Sequence, residues 1–183
     1  SINESGQLVF DASHPDFDYL PQGETLVLET AFFEVFDSSG FFAQSNSSIS
    51  ITVSGRNDLP VLESLAPLDV VGIEDEPQVI SFNDLSSVAV ISDVDDNASD
   101  GFFVESIAAG AQLEILSVDE TDEGPFDWSA ANPVVPGDAF DQDSVLRWTS
   151  PANLNGLEFD AFTVKAWDGI DVSESSIPVR LDV

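Results

Sequence analysis

The sequence predicts an all-β protein of tandem Greek-key β-sandwiches, the first of which lacks its N-terminal strands. Three observations carry this reading. Period-two or continuous apolar runs, rich in Val, Ile, Phe and Thr, recur along the whole chain. Clusters of Gly, Pro, Asn, Asp and Ser separate them at the ~8–12-residue spacing of sandwiches. One strand–turn–strand unit also occurs twice, which marks a repeat rather than a single long fold.

Taken in order, the predicted strands are "QLVF" (7–10), "TLVLETAFFEVF" (25–36), "SSISITV" (47–53), "LDVVGI" (68–73) and "QVISF" (78–82). They continue with "SVAVIS" (87–92), "QLEILSV" (112–118), "VLRWT" (145–149), "FDAFTVKAW" (159–167) and "SSIPVRLDV" (175–183). Only "DLSSVAV" (84–90) has the spacing of a helical turn, and 100–111 is left unassigned. The stretch 119–143 reads as a long acidic excursion.

The repeat sets the domain organisation. With Asp37 laid over Asp168, Ala31, Phe33 and Val35 match Phe162, Val164 and Ala166 in phase. Downstream, Ile49, Ile51 and Val53 match Ile177, Val179 and Leu181, and the turn 17–26 takes the place of 149–159. The boundary falls at "GRNDLP", giving residues 1–57 as the C-terminal part of one module and 58–183 as a complete one. The first copy has 36 residues before its Asp turn, and the second has the 110 residues 58–167. Either this sequence is a piece that begins part-way through the first module, or the missing strands come from another segment or another chain, since a half-sandwich exposes sheet edges.

Of the 183 residues, 35 are acidic and 4 basic, for a net charge of −31. Phosphate-rich partners need Lys and Arg, so nucleic acid and anionic membrane surfaces are excluded as electrostatic partners. No apolar run is long enough to insert in a membrane as a helix. The 43% hydrophobic content, with 14 Phe and 3 Trp, supplies a packed core. Cysteine is absent, so no disulfide, thiolate nucleophile or thiolate metal site is available. A surface so acidic repels itself unless cations screen or bind it.

No enzyme is expected. His14 is the lone histidine, and its neighbours Ser13 and Asp16 do not make a triad, which is assembled from separate elements. Among 35 acids, some pair lies at glycosidase separation by chance, so that signal is void. Trp148 and Trp167 lie in strand patterns and are expected in the core. Trp128, with Phe126, lies in the excursion and is the candidate ligand-touching aromatic, with a loop anchor as the plainer role.

"FDYLPQGETLVLETAFFEVFDSSG…SISITVSGRNDLPVLE" resembles the end of the VCBS-type, cadherin-like repeats of giant bacterial adhesins. "VLRWTSPANLNGLEFDAFTVKAWDG" resembles another cadherin-like repeat of such proteins. The departures are the short first module and the lack of the Gly-Asp nonapeptides of RTX tails. The resemblance implies cadherin-like sandwiches, Ca²⁺ at the joints, neighbouring repeats as partners, and an extracellular place on a bacterial cell surface. The implied role is a calcium-stiffened extender segment in cell adhesion or biofilm formation. The alternatives are a carbohydrate- or protein-binding module using the 119–143 loop, or a split domain completed by outside strands.

Ca²⁺ takes six to eight oxygens from carboxylates, Asn side chains and backbone carbonyls. The candidates are Asn57 and Asp58 at the joint, Asp93 and Asp95 in "ISDVDDN", and Asp168 in "AWDG". In an extended chain Asp93 and Asp95 point the same way, about 6–7 Å apart. The cadherin resemblance implies the same three kinds of segment around a joint. Asp37 is the repeat-mate of Asp168, Glu74 (with Asp75 and Glu76) opens the acidic turn "IEDEP", and Asp96, with the rest of "DNASD" (96–100), could extend the Asp93–Asp95 pair. Each of these has a solvated turn as its plain alternative, because Asp and Asn favour turns in any case. Asp11, Asp16 and Asp18 are as readily a mere acidic loop.

Overall fold

Antiparallel strands make up nearly all the regular structure of the computed structural model, which describes residues 9–29, 34–44, 49–69, 72–73, 75–95, 100–119 and 124–183. The protein is all-β, with one short helix. The chain divides into two units, Ser1–Asp58 and Leu59–Val183. Among the described residues, no helix is long and apolar enough to cross a membrane.

In the first unit, β1 (Thr25–Glu29), β2 (Glu34–Phe36), β3 (Phe42–Gln44) and β4 (Ser50–Ser54) form two antiparallel ladders. β1 pairs β4, with Leu26 opposite Val53 and Leu28 opposite Ile51, and β2 pairs β3. The alternation of β1 works as a period-two pattern should, with Leu26 and Leu28 half-buried between exposed Thr25, Val27 and Glu29. Among the described residues of this unit, Leu20 and Val53 are the buried apolar side chains. Gly55 follows β4 because the carbonyls of Leu20 and Pro21 occupy the space where a Cβ would stand.

The second unit holds the larger core. Its elements are β5 (Val61–Leu65), β6 (Gln78–Ser81), α1 (Phe82–Val88), β7 (Ala89–Ser92), β8 (Gly101–Ile107), β9 (Gln112–Ser117), β10 (Asn132–Pro133), β11 (Ala139–Asp141), β12 (Ser144–Thr149), β13 (Phe159–Trp167) and β14 (Ile177–Leu181). Two four-stranded sheets, in the orders β10-β9-β12-β6 and β11-β8-β13-β14, enclose one core, while β5 pairs β7. Ile80, Leu113, Leu146 and Trp148 from one sheet meet Phe102, Phe140, Phe162, Val164 and Val179 from the other. This is the sheet-on-sheet solution to burying one face of each sheet.

α1 takes the first two residues of the strand expected at 87–92 and the last residue of the one expected at 78–82. Ser81 and Asp84 form a capping box: the Asp84 N–H donates to Ser81 Oγ at 3.2 Å, and the Ser81 N–H donates to Asp84 Oδ2 at 2.8 Å. These bonds stabilise the first turn, and Leu85 then anchors it in the core at 0% exposure.

Four further expectations change. Residues 68, 69, 72 and 73 are not strand; the Leu68 and Gly72 N–H groups instead donate to the carbonyls of Arg180 and Asp182, beside β14. Residues 9 and 10 are not strand, and 7 and 8 lie outside the described residues. The unassigned 100–111 contains β8, a central strand flanked by β11 and β13. The excursion 119–143 contributes β10, β11 and a 3₁₀ turn at Trp128–Ala130.

The internal repeat is visible in the backbone. In the first unit β1 pairs β4, and Phe36 pairs Phe42 beyond the Asp37 turn. In the second, β13 pairs β14, and Trp167 bridges Val172 beyond the Asp168 turn.

Candidate functional site

Three strand ends bring acids to one end of the second unit. β7 runs out at Ser92 into Asp93 and Asp95, and β8 begins after Asp100. β13 ends at Trp167, immediately before Asp168. The ladder fixes this arrangement: Gly101 is in register with Trp167, and the Asp100 N–H donates to the Trp167 carbonyl at 2.8 Å. β5 also starts here, with Val61 opposite Ser92. The side chain of Asp100 lies against Gly169, whose φ of 90° suits glycine and whose missing Cβ leaves the room.

Asp95 and Asp168 are buried, at 5% and 6% exposure. Asp168 Oδ1 accepts the N–H groups of Ile170 and Asp171, both at 2.7 Å, and so closes its own turn. Asp93 Oδ1 accepts the Asp95 N–H at 2.9 Å. The second oxygen, Asp93 Oδ2, is buried without a hydrogen-bond partner. Burial pushes the Asp93 carboxyl above its ordinary value of 3.8, and the neighbouring charges of Asp95 and Asp168 push it the same way against the Asp95 N–H bond.

Three of the four basic residues are engaged elsewhere. Arg147, Lys165 and Arg180 pair with Glu114, Glu105 and Asp160, at 2.6, 3.2 and 2.9 Å. The pairs Arg147–Glu114 and Lys165–Glu105 link neighbouring strands, as does Arg180–Asp160.

The residue types fit a hard cation, and Asp93 Oδ2 is an oxygen with no other use. The fit is partial: among the described residues, no three carboxylate or imidazole side chains already form a metal-holding group. Asp96 and Glu74 lie outside the described residues.

Asn57 and Asp58 belong to the first unit, where Asn57 Nδ2 donates to the Asp58 carbonyl at 2.9 Å and Asn57 Oδ1 is buried. Asp37 is exposed, and its Oδ1 accepts the N–H groups of Ser39 and Phe41 at 2.8 and 3.0 Å. It closes its turn as its repeat-mate Asp168 does, so the Asp of each copy has a structural duty that spacing alone did not reveal. Asp75 takes φ 63°, left-handed backbone in the turn after Glu74.

The excursion packs onto the second unit. Trp128 is half-buried, the Arg147 guanidinium lies 4.5 Å from its ring centroid, and Phe126 meets it edge-on at 6.1 Å. One face of Trp128 is therefore covered by Arg147. Trp148 is in the core at 1% exposure; Trp167 is half-buried and packs edge-on against Phe103. His14 Nδ1 accepts the Asp16 N–H at 3.3 Å and caps the 3₁₀ turn Pro15–Phe17.

Asp100, the last residue of "DNASD", was not singled out as a site residue, although a Gly before an apolar strand and an Asp before that Gly are legible signs of a strand-end turn. A cleft of about 660 Å³ lined by Asp119, Asp141, Asp143 and Ser144 was missed as well, because only the fold brings Asp119, after β9, to the turn between β11 and β12. Comparisons with protein-family models, curated proteins and solved structures give no match.

Proposed function

We propose that this chain is a calcium-stiffened extender segment of a large bacterial surface adhesin, extracellular, serving cell adhesion or biofilm formation. Its modules are then cadherin-like Greek-key sandwiches of the VCBS type, and its partners are neighbouring repeats of the same polypeptide. The observation that carries this reading is the convergence of Asp93, Asp95 and Asp168 at the end of the second unit where β5 begins, with the polar atom Asp93 Oδ2 buried and unpartnered.

The chemistry is electrostatic. Without a cation, the carboxylates repel one another and resist burial. A bound Ca²⁺ would supply the missing positive charge, with Asp93 Oδ2 and Asp95 as ligands and Asp168 keeping Oδ1 on its turn. Ligation draws Asp93, which follows β7, and Asp168, which follows β13, together. It thereby stiffens the end at which the chain enters the unit. A site of extracellular affinity, with Kd about 10⁻⁴ M, stabilises the folded state by ~1.8 kcal/mol at ~2 mM calcium.

The test is a thermal melt in EDTA and in millimolar Ca²⁺, with Asp93→Ala/Asp95→Ala alongside and NaCl of matched ionic strength as a screening control. A rise of roughly 5 °C specific to Ca²⁺ and lost in the double variant is expected. An equal response to NaCl would reduce the acids to a salt-adapted surface.

For the first unit, the exposure of Tyr19, Val27 and Phe41 (55%, 54% and 76%) favours a second reading, in which strands from another segment or chain complete it.

A further inference from the structure

The loop between β12 and β13 carries "PANLNG", a motif to which the calcium reading gives no role. Asn155 is followed by Gly156, the sole Asn–Gly pair in the sequence, and both are exposed. Glycine lacks the Cβ that would keep its amide nitrogen away from the preceding side-chain carbonyl, which makes Asn–Gly the dipeptide most open to spontaneous cyclisation. The loop is also tied down at that very amide. Gly156 and Val183 exchange two backbone hydrogen bonds, with the Gly156 N–H donating at 3.0 Å and the Val183 N–H at 2.9 Å. A third tie runs from the Glu158 N–H to Asp182 Oδ1 at 2.8 Å.

We propose that Asn155 is a site of spontaneous deamidation, and that the bonds joining 156 and 158 to 182 and 183 form a latch that sets its rate. In the reaction, the Gly156 amide nitrogen loses its proton and attacks Asn155 Cγ. A nitrogen–Cγ bond forms, the Cγ–Nδ2 bond breaks, and Nδ2 leaves as ammonia, taking up the proton. Water then opens the cyclic imide. Cleavage at Cγ gives Asp, and cleavage at the Asn155 main-chain carbonyl gives isoaspartate, with the backbone rerouted through Cγ.

While the Gly156 N–H is held by the Val183 carbonyl, the nitrogen is neither readily deprotonated nor free to turn toward Cγ. Latch opening must come first, so the folded chain reacts more slowly than the unfolded one. Breaking a few hydrogen bonds in a local opening sets the ratio at roughly tenfold or more. Isoaspartate adds a backbone methylene and a carboxylate, so the register of 156 with 183 cannot re-form. The change is one-way and lies at the end of the unit opposite Asp168, since β13 starts at Phe159 and finishes at Trp167.

The test holds the full chain in mildly alkaline buffer, native and in urea, and follows the peptide containing Asn155 by mass spectrometry with isoaspartate detection. Asn155→Gln and Asp182→Ala are run in parallel, and circular dichroism confirms that each is folded. Conversion at Asn155 in urea, roughly tenfold slower in the native chain, is expected. Asp182→Ala should speed the native reaction and leave the urea rate unchanged, and Asn155→Gln should abolish it. Equal native and urea rates, or no effect of Asp182→Ala on the native rate, would overturn the latch. A urea-treated chain that does not convert at Asn155 would overturn the site.

Discussion

Asp93 is a residue whose charge is unwelcome in the metal-free fold. Burial and the carboxylates of Asp95 and Asp168 raise its pKa above 3.8, so the fold binds a proton there more tightly than the unfolded chain does. Its contribution to stability is therefore fully present below about 3.8 and is lost as pH rises through the raised value. Asp93→Asn should raise Tm in EDTA at pH 7, with the advantage vanishing as the pH falls below the ordinary carboxylate value. The same variant should lose most of its response to Ca²⁺. A melt series across pH in EDTA, repeated with Ca²⁺ at pH 7, checks both halves; a variant less stable than the parent at pH 7 without metal would contradict the reading. The sequence offered Asp93 and Asp95 by their spacing, and Asp168 by its place in the repeat and the cadherin resemblance, as candidates only. It could not show that Asp168 spends one oxygen on Ile170 and Asp171, nor that Asp100 sits against Gly169, because both depend on how the strand ends meet.

At the scale of the element, the Asp turn after β13 has a folding role in closing its own loop, and the calcium proposal gives it a second one. Asp168→Ala leaves the N–H groups of Ile170 and Asp171 without their acceptor, at a cost of about 1–3 kcal/mol. Asp168→Asn retains an oxygen for the turn and removes the charge. Urea titrations in EDTA should therefore separate the two variants, while calcium titrations should show both impaired. In the first unit, Asp37 closes its turn in the same way but is exposed, so Asp37→Ala should cost less than Asp168→Ala. The capping box of α1 offers an independent check: Asp84→Ala should destabilise by about 1 kcal/mol in EDTA and Ca²⁺ alike.

β9, β12 and β13 were legible because turn residues bound their apolar runs, and β13 alternates over Phe162, Val164 and Ala166. α1 was harder to read. "FNDLSSV" contains the β-branched and short polar residues of a strand end, and the capping box, a side-chain detail, tips it into a helix. β8 escaped for a different reason. "GFFVESI" follows a run of acids and opens with two adjacent phenylalanines, a pattern with no alternation until the chain is already inside the sheet.

At the scale of the whole molecule, the charge of −31 and the lack of cysteine pose one problem, which is how an acidic, disulfide-free chain stays rigid. The two sheets of the second unit answer part of it with a core of large apolar side chains from both layers. The three strand-bridging ion pairs add to this on the sheet surfaces, where such pairs are individually weak. On the calcium proposal, a divalent cation at the acid end of the second unit would supply the rest. The repeat appears in the sequence as matched positions along the chain, and the chain divides into two units.

The most direct test of the calcium account combines a thermal melt with small-angle scattering on the same samples, in EDTA and then in millimolar Ca²⁺, for the parent chain and for Asp93→Ala/Asp95→Ala. The account predicts a calcium-specific rise in Tm together with a narrower distribution of molecular dimensions, both absent from the double variant. Unchanged melting and scattering on adding Ca²⁺, or the same change in the double variant, would contradict it.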